Sequence, residues 1–408
     1  MTLEVHVDFR GETLAVGTLH TPSRGTSVVF EYAPSWLSQS GAFAIDPTSL
    51  PLRAGPQHSP SLFSVVLDCG PDRWGRVLIE RAVRRGVLER KPLREIDYVL
   101  ALDDASRIGA LRFRELGGAF LAASTGRLPP IVRLPALLRA TDAIHRDRDS
   151  DADLRFLLGE GSPLGGARPK SAVVLDGGEL GIAKFQKPDD TRDIAAGEVL
   201  ALRLAANAGV RAAEARLVKV GRTHAVVVRR FDRKGNARIP FLSAATLLGS
   251  VGRESGSYSD IAEAIRRFGD HVKSDLEELW RRMVFALLVD DCDDHLRNHG
   301  FLMVEEGRWS LSPAYDVNPV PESESSRGNR TPLGEDATDF SIDHAMKLAA
   351  KFGLGLARAK QVLRKVVGAV EAWREVGREL RIPAATLAVY ESAFEGACRA
   401  EARVILGR

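Results

Sequence analysis

Apolar residues at every second position predict β-strands near the start of the chain. From Leu3 to Phe9 apolar side chains alternate with polar ones, which is the period of a strand with one buried face. A helix-like stretch follows from Trp74 to Val87, and we interpret its four arginines as a solvated helix face rather than a surface for nucleic acid or an acidic partner. These patterns predict an N-terminal α/β subdomain over residues 1–125.

A β-rich segment is predicted next, over residues 150–235. Two apolar, β-rich runs, Ser171 to Leu175 and Leu180 to Phe185, are separated by a turn that contains two glycines, as in a β-hairpin. A helix is predicted from Ile194 to Ala208, because apolar residues recur at helical spacing and Gly209 is a typical helix end.

The remaining residues, 236–408, are predicted to be mainly helical. Apolar positions from Leu276 to Leu288 recur at helical spacing, which indicates a helix buried in a core. Ser274 and Glu277 have the spacing of a capping box at its start. The three segments together predict an α/β (α+β) fold with a mainly helical C-terminal part.

Composition and charge narrow the function classes. The chain has 408 residues, is 44% hydrophobic, and has a net charge of only +3, so charge alone does not argue for nucleic-acid binding. Its three cysteines are too few and too scattered for a disulfide framework. The longest apolar runs, such as Met283 to Val289, are far too short to span a membrane. We therefore expect a cytoplasmic protein with no membrane partner.

The first candidate for chemistry is a glycine-rich stretch with a lysine behind it. Glycines between Gly159 and Lys170 would let backbone N–H groups approach phosphate oxygens. Lys184 lies on the second strand of the following hairpin, where it could reach phosphate as a point charge. Glu198, on the next helix, is the natural partner of Lys184 in a structural ion pair. Each feature taken alone also fits a flexible turn or a solvated lysine.

The second candidate is the acidic loop after the buried helix. Asp293 and Asn298 have the Asp-x4-Asn spacing that protein kinases use, with the Asp as base and the Asn as a magnesium ligand. A hairpin predicted over residues 300–312 would return the chain to its start and bring Asp316 beside Asn298. Both side chains carry the hard oxygen ligands that a divalent cation prefers.

Two other interpretations of this loop remain open. The acids from Asp290 to Asp294 fit the Asp-Asp-x-x-Asp pattern by which prenyl-diphosphate enzymes bind magnesium, although those enzymes are all-helical. His295 and His299 have the spacing of a zinc protease motif, but the glutamate that acts as general base there is absent.

As a set, these motifs resemble those of the HipA serine/threonine kinases, which are toxins of type II toxin–antitoxin modules. The resemblance rests on five segments and on Pro71–Gly75 in the N-terminal part; the five are Gly165–Lys170, Ile182–Phe185, Arg230–Arg233, Asp293–His299 and Leu311–Asp316. It implies a two-lobed protein-kinase-like fold, in which residues 150–235 form the nucleotide-binding β-rich part of the N-lobe and residues 236–408 form a helical C-terminal lobe with the catalytic loop.

The resemblance also implies roles for individual residues. Asp293 would be the catalytic base, and Asn298 and Asp316 would bind Mg²⁺. The implied ATP-binding residues are Gly165, Gly166, Ala167, Arg168, Pro169, Lys170, Lys184, Arg229, Arg230, Phe231, His295, Leu296, Arg297, Asn298, Tyr315 and Asp316. ATP and Mg²⁺ are thus the expected cofactors.

Family members phosphorylate translation components of the aminoacyl-tRNA synthetase type and are neutralised by a DNA-binding, HipB-like antitoxin. The expected partners are therefore such an antitoxin, a protein substrate, and DNA only indirectly through the antitoxin. An alternative is a catalytically minor binding partner that acts as co-repressor. One departure from the family pattern is Pro163, which stands where a serine is commonly autophosphorylated, so this role would move to Ser162 or be lost.

Overall fold

A computed structural model of the chain describes residues 1–22, 27–71, 73–121, 128–159, 168–250, 255–324, 330–336 and 339–407. The chain forms two compact units, each built from two segments. The first unit consists of Met1–Asp190 and Val218–Leu242, and the second of Thr191–Leu217 and Ser243–Arg408. The predicted division into residues 1–125, 150–235 and 236–408 stays a prediction.

Strands and helices are interspersed as far as Leu311, and the described elements after that residue are helices. The strands are β1 (Thr2–Phe9), β2 (Glu12–His20), β3 (Val28–Tyr32), β4 (Gln57–Ser59), β5 (Leu111–Glu115), β6 (Lys170–Val174), β7 (Leu180–Phe185), β8 (Ala215–Val220), β9 (Thr223–Arg229), β10 (Arg233–Lys234), β11 (Ala237–Arg238), β12 (Phe241–Ser243), β13 (Gly300–Glu305) and β14 (Arg308–Leu311). The helices are α1 (Pro34–Leu37), α2 (Ser64–Asp68), α3 (Arg73–Arg85), α4 (Glu95–Leu100), α5 (Leu134–His145), α6 (Asp151–Gly159), α7 (Ile194–Asn207), α8 (Ala244–Leu247), α9 (Tyr258–Phe268), α10 (Val272–Leu288), α11 (Ile342–Leu348), α12 (Leu356–Glu371), α13 (Trp373–Glu379), α14 (Ala384–Val389), α15 (Glu391–Phe394) and α16 (Ala397–Leu406).

The N-terminal sheet has the strand order β4-β3-β2-β1-β5 and confirms the predicted alternation. Leu3, Val5 and Val7 are buried, as expected for the inner face of a strand. The pairing of β1 with β2 shifts register between Val5 and His6. His6 is buried as well, and its ring lies against that of Phe120 with the centroids 5.2 Å apart. A β-bulge of this kind was not predicted, because its position depends on the partner strand.

The second sheet of this unit has the order β6-β7-β9-β8. The predicted hairpin is confirmed: β6 pairs antiparallel with β7, and Lys170 lies directly opposite Lys184. Residues of α3, α5 and α6 pack with the apolar residues of this sheet in one core, to which Trp74, Leu137 and Phe185 belong.

Three arginines of α3 make ion pairs that the sequence did not predict. Arg81 donates to Asp147 and Asp149, and Arg85 donates to Asp149, whose side chain is fully buried. Arg76 forms a two-bond pair with Glu95. These pairs join α3 to neighbouring segments of the same unit. The interpretation of a simply solvated face is wrong for Arg81, whose side chain is only 18% exposed, whereas Arg85 is exposed as interpreted.

In the second unit the predicted buried helix is confirmed as α10. Its Leu279, Trp280 and Met283 are completely buried. The predicted capping box is wrong, because α10 begins at Val272 and Ser274 lies inside its first turn, donating to the carbonyl oxygen of His271.

The chain after α10 forms the predicted β13–β14 hairpin, and helices complete the unit. Within the part of the chain that the structure describes, no helix has the length and apolar character needed to cross a bilayer.

Candidate active site

The acidic loop begins where α10 ends. Asp290 adopts a left-handed conformation with φ of 52°, and the N–H of Asp291 bonds the carbonyl oxygen of Ala286, 3.0 Å away. A short 3-10 helix follows at Leu296–Asn298, and His295 precedes it and accepts a hydrogen bond from the N–H of Arg297 at 3.2 Å. The loop is thus anchored to the end of the buried helix α10.

The two residues of the Asp-x4-Asn spacing lie in one loop and contact each other. The amide of Asn298 donates to the carbonyl oxygen of Asp293 at 2.9 Å, and Asn298 itself is buried. The side chain of Asp293 is exposed. A base that takes a proton from an incoming substrate must be reachable, so this exposure is compatible with the role predicted for Asp293.

The β13–β14 hairpin returns the chain to the same place. The hydroxyl of Tyr315 donates to the carbonyl oxygen of Arg297 at 2.6 Å, which ties the two segments together. Asn298 and Asp316 line one pocket with Asp291 and Asp294. The predicted neighbourhood of Asn298 and Asp316 is therefore present in the structure, whereas their role as metal ligands stays a prediction.

Two buried carboxylates beside them were not singled out from the sequence. Burial, reinforced by the negative charges of Asp294 and Asp316, raises the pKa of Asp291 well above its ordinary value. Burial also opposes ionisation of Asp294, but its ion pair with His299 at 3.0 Å and the hydroxyl of Tyr258 hold its pKa below the ordinary value. The sequence indicated these two carboxylates only as members of the acidic run from residue 290 to 294.

A buried polar network supports the segment that leads to Asp316. The carboxylate of Asp275, on α10, accepts from the hydroxyl of Ser310 at 2.7 Å and from the N–H of Leu311 at 3.0 Å. Arg282 donates to the carbonyl oxygen of Ser312 at 2.7 Å. The sequence offered one indication of this network, which is a charged residue within the apolar stripe of a predicted helix. Burying a charge is costly without partners, so such a residue predicts polar contacts in the core.

In the first unit the predicted phosphate residues lie on the β6–β7 hairpin. Lys170 and Lys184 are directly opposite each other and are both buried. Opposed like charges destabilise a sheet, and an anion bound between two ammonium groups would offset that repulsion. Nearby, Arg168 pairs with Asp190 at 2.5 Å, and the carbonyl oxygen of Pro169 accepts from the N–H of Phe185 at 2.8 Å.

Two further residues implied in ATP binding, Arg229 and Phe231, have different surroundings. Arg229 is partly exposed and pairs with Glu179 at 2.9 Å. The ring centroid of Phe231 lies 6.3 Å from that of Phe241.

Arg230 is another residue implied in ATP binding. Its guanidinium makes two bonds to the fully buried Asp232 and donates to the carbonyl oxygens of Ser106 and Arg107. Nearly all donors of this guanidinium are used inside the protein, and the N–H of Arg230 donates to the carbonyl oxygen of Leu180 at 2.9 Å. The side chain therefore has a structural role, and the implied contact of Arg230 with ATP stays a prediction.

The structure does not place several of the predicted residues at the candidate site. Gly165, Gly166, Ala167 and Ser162 lie outside the described residues. Glu198 is buried in α7, which belongs to the second unit, whereas Lys184 belongs to the first. The predicted Lys184–Glu198 ion pair therefore stays a prediction.

The side chains around the pocket fit a magnesium ion bound together with a nucleotide. Among the described residues, no group of three or more His, Cys, Asp or Glu side chains could hold a metal by itself. Magnesium in phosphoryl-transfer enzymes usually takes one or two protein oxygens and completes its shell with phosphate oxygens and water. Asn298 and Asp316, in one pocket with the crowded carboxylates of Asp291 and Asp294, supply such a partial set.

The two other interpretations of the acidic loop lose support. Asp290 pairs with Arg330, and the acids from 290 to 294 follow the end of α10 rather than facing a second acidic helix. His295 and His299 flank the 3-10 helix, and Nε2 of His299 faces Asp294. Neither arrangement matches the helical site that prenyl-diphosphate or zinc-protease chemistry needs.

Comparisons with known proteins agree on one family. Residues 162–374 match the family model described as HipA-like C-terminal domain, and residues 7–114 match the one described as HipA N-terminal domain. A relative from Shewanella oneidensis, the serine/threonine-protein kinase toxin HipA, is 25% identical over 397 residues, which cover 88% of this chain and 84% of the relative.

Among solved structures, the complex of Shewanella oneidensis HipA and HipB with operator DNA contains a similar chain. The similarity has a TM-score of 0.70 at 19% identity and covers 99% of this chain and 97% of that one. At this identity the similarity concerns the fold alone, and it confirms the predicted kinase-like α/β fold.

Proposed function

The chain belongs to the HipA family of kinases, and we propose that it is an ATP- and magnesium-dependent serine/threonine protein kinase. It would transfer the γ-phosphate of ATP to a hydroxyl group of a protein. The observation that carries this proposal is the loop that holds Asp293 and Asn298 together and shares a pocket wall with Asp316. This is the arrangement of base and metal ligands that phosphoryl transfer uses.

Each group has a defined task in this proposal. Asn298 and Asp316 would hold Mg²⁺, which when bound supplies positive charge to phosphate oxygens. The exposed carboxylate of Asp293 would accept the proton of the substrate hydroxyl. Lys170 and Lys184 would neutralise phosphate charge with their ammonium groups. The Gly-rich residues 165–170 would contribute backbone N–H donors.

Replacement of the base tests the enzymatic part of the proposal. We expect Asp293→Asn to lower phosphoryl transfer by at least about 100-fold, because a positioned base typically contributes 10²–10⁴-fold. Affinity for a fluorescent ATP analogue should change little, since Asp293 is not a predicted phosphate or metal ligand. Phosphoproteomes of cells that express either chain measure transfer and also reveal the target.

Asp290→Asn is the matched control, because Asp290 lies in the same loop but pairs with Arg330. We expect this variant to leave the phosphoproteome of the wild-type chain intact. Phosphorylation that persists in the Asp293→Asn cells would rule out Asp293 as the base.

We further propose that the chain is the toxin of a HipA/HipB-like module and acts on a translation component, such as an aminoacyl-tRNA synthetase. Support comes from the family and from the relative named as a toxin kinase. A HipB-like antitoxin would be its partner, as in the Shewanella complex with HipB and operator DNA. Autophosphorylation at Ser162 stays a prediction.

A further inference from the structure

The side chain of Asn318 holds the segment that carries Asp316. Its amide nitrogen donates to the carbonyl oxygen of Asp316 at 3.0 Å and to Oδ1 of the same residue at 3.1 Å. One amide group therefore fixes both the main chain and the carboxylate of its neighbour. Nothing in the alternation or spacing of residues 313–320 indicated this contact.

Asp316 needs such support because of its backbone. It has a φ of 58°, in the left-handed region that a residue with a side chain adopts only at an energetic cost. Asparagine amides are suited to stabilise such turns through short-range bonds to the backbone. Without them, both the turn and the direction of the Asp316 carboxylate lose one restraint.

Asn318 is in turn anchored to the acidic loop. Its N–H donates to Oδ2 of Asp291 at 3.3 Å, and Oδ1 of Asp291 accepts from the N–H of Asp293 at 3.4 Å. The main chain adds an antiparallel bridge between Asp291 and Pro319. The position of Asp316 relative to Asp293 thus depends on a short chain of contacts through Asn318 and Asp291.

From this geometry we propose that Asn318 is a positioning residue, which orients the Asp316 carboxylate for a divalent cation bound with the nucleotide. The inference rests on the proposed function. Residues that hydrogen-bond a metal ligand typically contribute 10–100-fold to metal affinity when they are intact. Removal of the Asn318 amide should therefore lower the affinity for the cation. The nucleotide contacts proposed for the first unit should be unaffected.

The test measures Mn²⁺ binding, because Mn²⁺ prefers the same oxygen ligands as Mg²⁺ and can be followed by electron paramagnetic resonance. The full chain is titrated with Mn²⁺ in the presence of a non-hydrolysable ATP analogue. Asn318→Ala and the similarly sized Asn318→Leu both remove the donor, so the result does not depend on the folding of one variant. Asn236→Ala, at an exposed asparagine between β10 and β11, is the matched control.

We expect the Kd of Mn²⁺ to rise 10–100-fold in both Asn318 variants and to stay unchanged in Asn236→Ala. The metal-free affinity for the ATP analogue should stay the same in all four chains, which a general loss of structure would not allow. Equal Mn²⁺ affinity in the wild-type chain and in a folded Asn318 variant overturns the inference and leaves the proposed function intact. Wild-type protein that binds no Mn²⁺ overturns the proposed function itself, and this inference with it.

Discussion

At the scale of single residues, burial also sets the chemistry of carboxylates outside the candidate site. Asp46, in the first unit, is completely buried, and its Oδ1 accepts hydrogen bonds from the N–H groups of Thr48 and Ser49 at 3.0 and 2.9 Å. Burial nonetheless dominates and raises the pKa of Asp46 to about 6. The folded chain therefore keeps this side chain protonated up to about pH 6.

The raised pKa of Asp46 makes the folded chain less stable as the pH rises. Because the pKa of Asp46 is raised on folding, its contribution to stability is complete below about pH 4 and is lost as the pH rises to about 6. At about 1.4 kcal/mol per pKa unit, the loss amounts to about 3 kcal/mol. Urea denaturation of Asp46→Asn should therefore show a gain of about 3 kcal/mol over the wild-type chain between pH 4 and pH 7.

Asp189→Asn, at an exposed aspartate, is the control for this titration. Its free energy of unfolding should follow that of the wild-type chain at every pH. A difference between Asp46→Asn and the wild-type chain that does not vary with pH would contradict the raised pKa.

At the scale of elements, two helical glycines have opposite surroundings. A Cβ added to Gly197, in α7, would lie 2.9 Å from Cε1 of Tyr390 and still closer to its hydroxyl. Tyr390 is buried, and its hydroxyl donates to the carbonyl oxygen of Asp193 at 2.8 Å. Gly368, in α12, would meet nothing within 4 Å.

We therefore expect alanine to act in opposite directions at these two positions. Gly368→Ala should stabilise the chain by about 0.5–1 kcal/mol, because alanine is the better helix former. Gly197→Ala should destabilise it by about 1–3 kcal/mol, because the added methyl group displaces Tyr390. Denaturant unfolding of the two variants measures both effects, and a stabilised Gly197→Ala would show that α7 and Tyr390 are not packed as described.

At the scale of the whole molecule, charge limits what the chain can bind by itself. A net charge of +3 on 408 residues provides little sequence-independent attraction to DNA. If a HipB-like antitoxin carries the DNA-binding surface, the chain alone should not retard operator DNA in a gel, whereas the mixture should give a slower band than the antitoxin alone. Retardation by the chain alone at 150 mM salt would contradict an indirect role.

Local patterns predicted much of the fold. The alternation from Leu3 to Phe9, the two hairpins and the buried helix α10 depend on the period of apolar residues and on turn residues close in sequence. The wrong predictions depended on distant partners. Arg81 of α3, for example, pairs with Asp147 and Asp149, which no short pattern around α3 includes.

The same division holds for the candidate site. Sequence by itself determined the family and the candidate base and metal ligands, because the spacing of Asp293, Asn298 and Asp316 around a hairpin is a local property of the chain. Tertiary structure alone decided that Arg230 is held by Asp232 and that Asn318 supports Asp316. It also decided that the pKa of Asp291 is raised and that of Asp294 is lowered. Hydrogen bonds and burial arise from three-dimensional proximity, and this proximity is a product of the folded chain rather than of any motif.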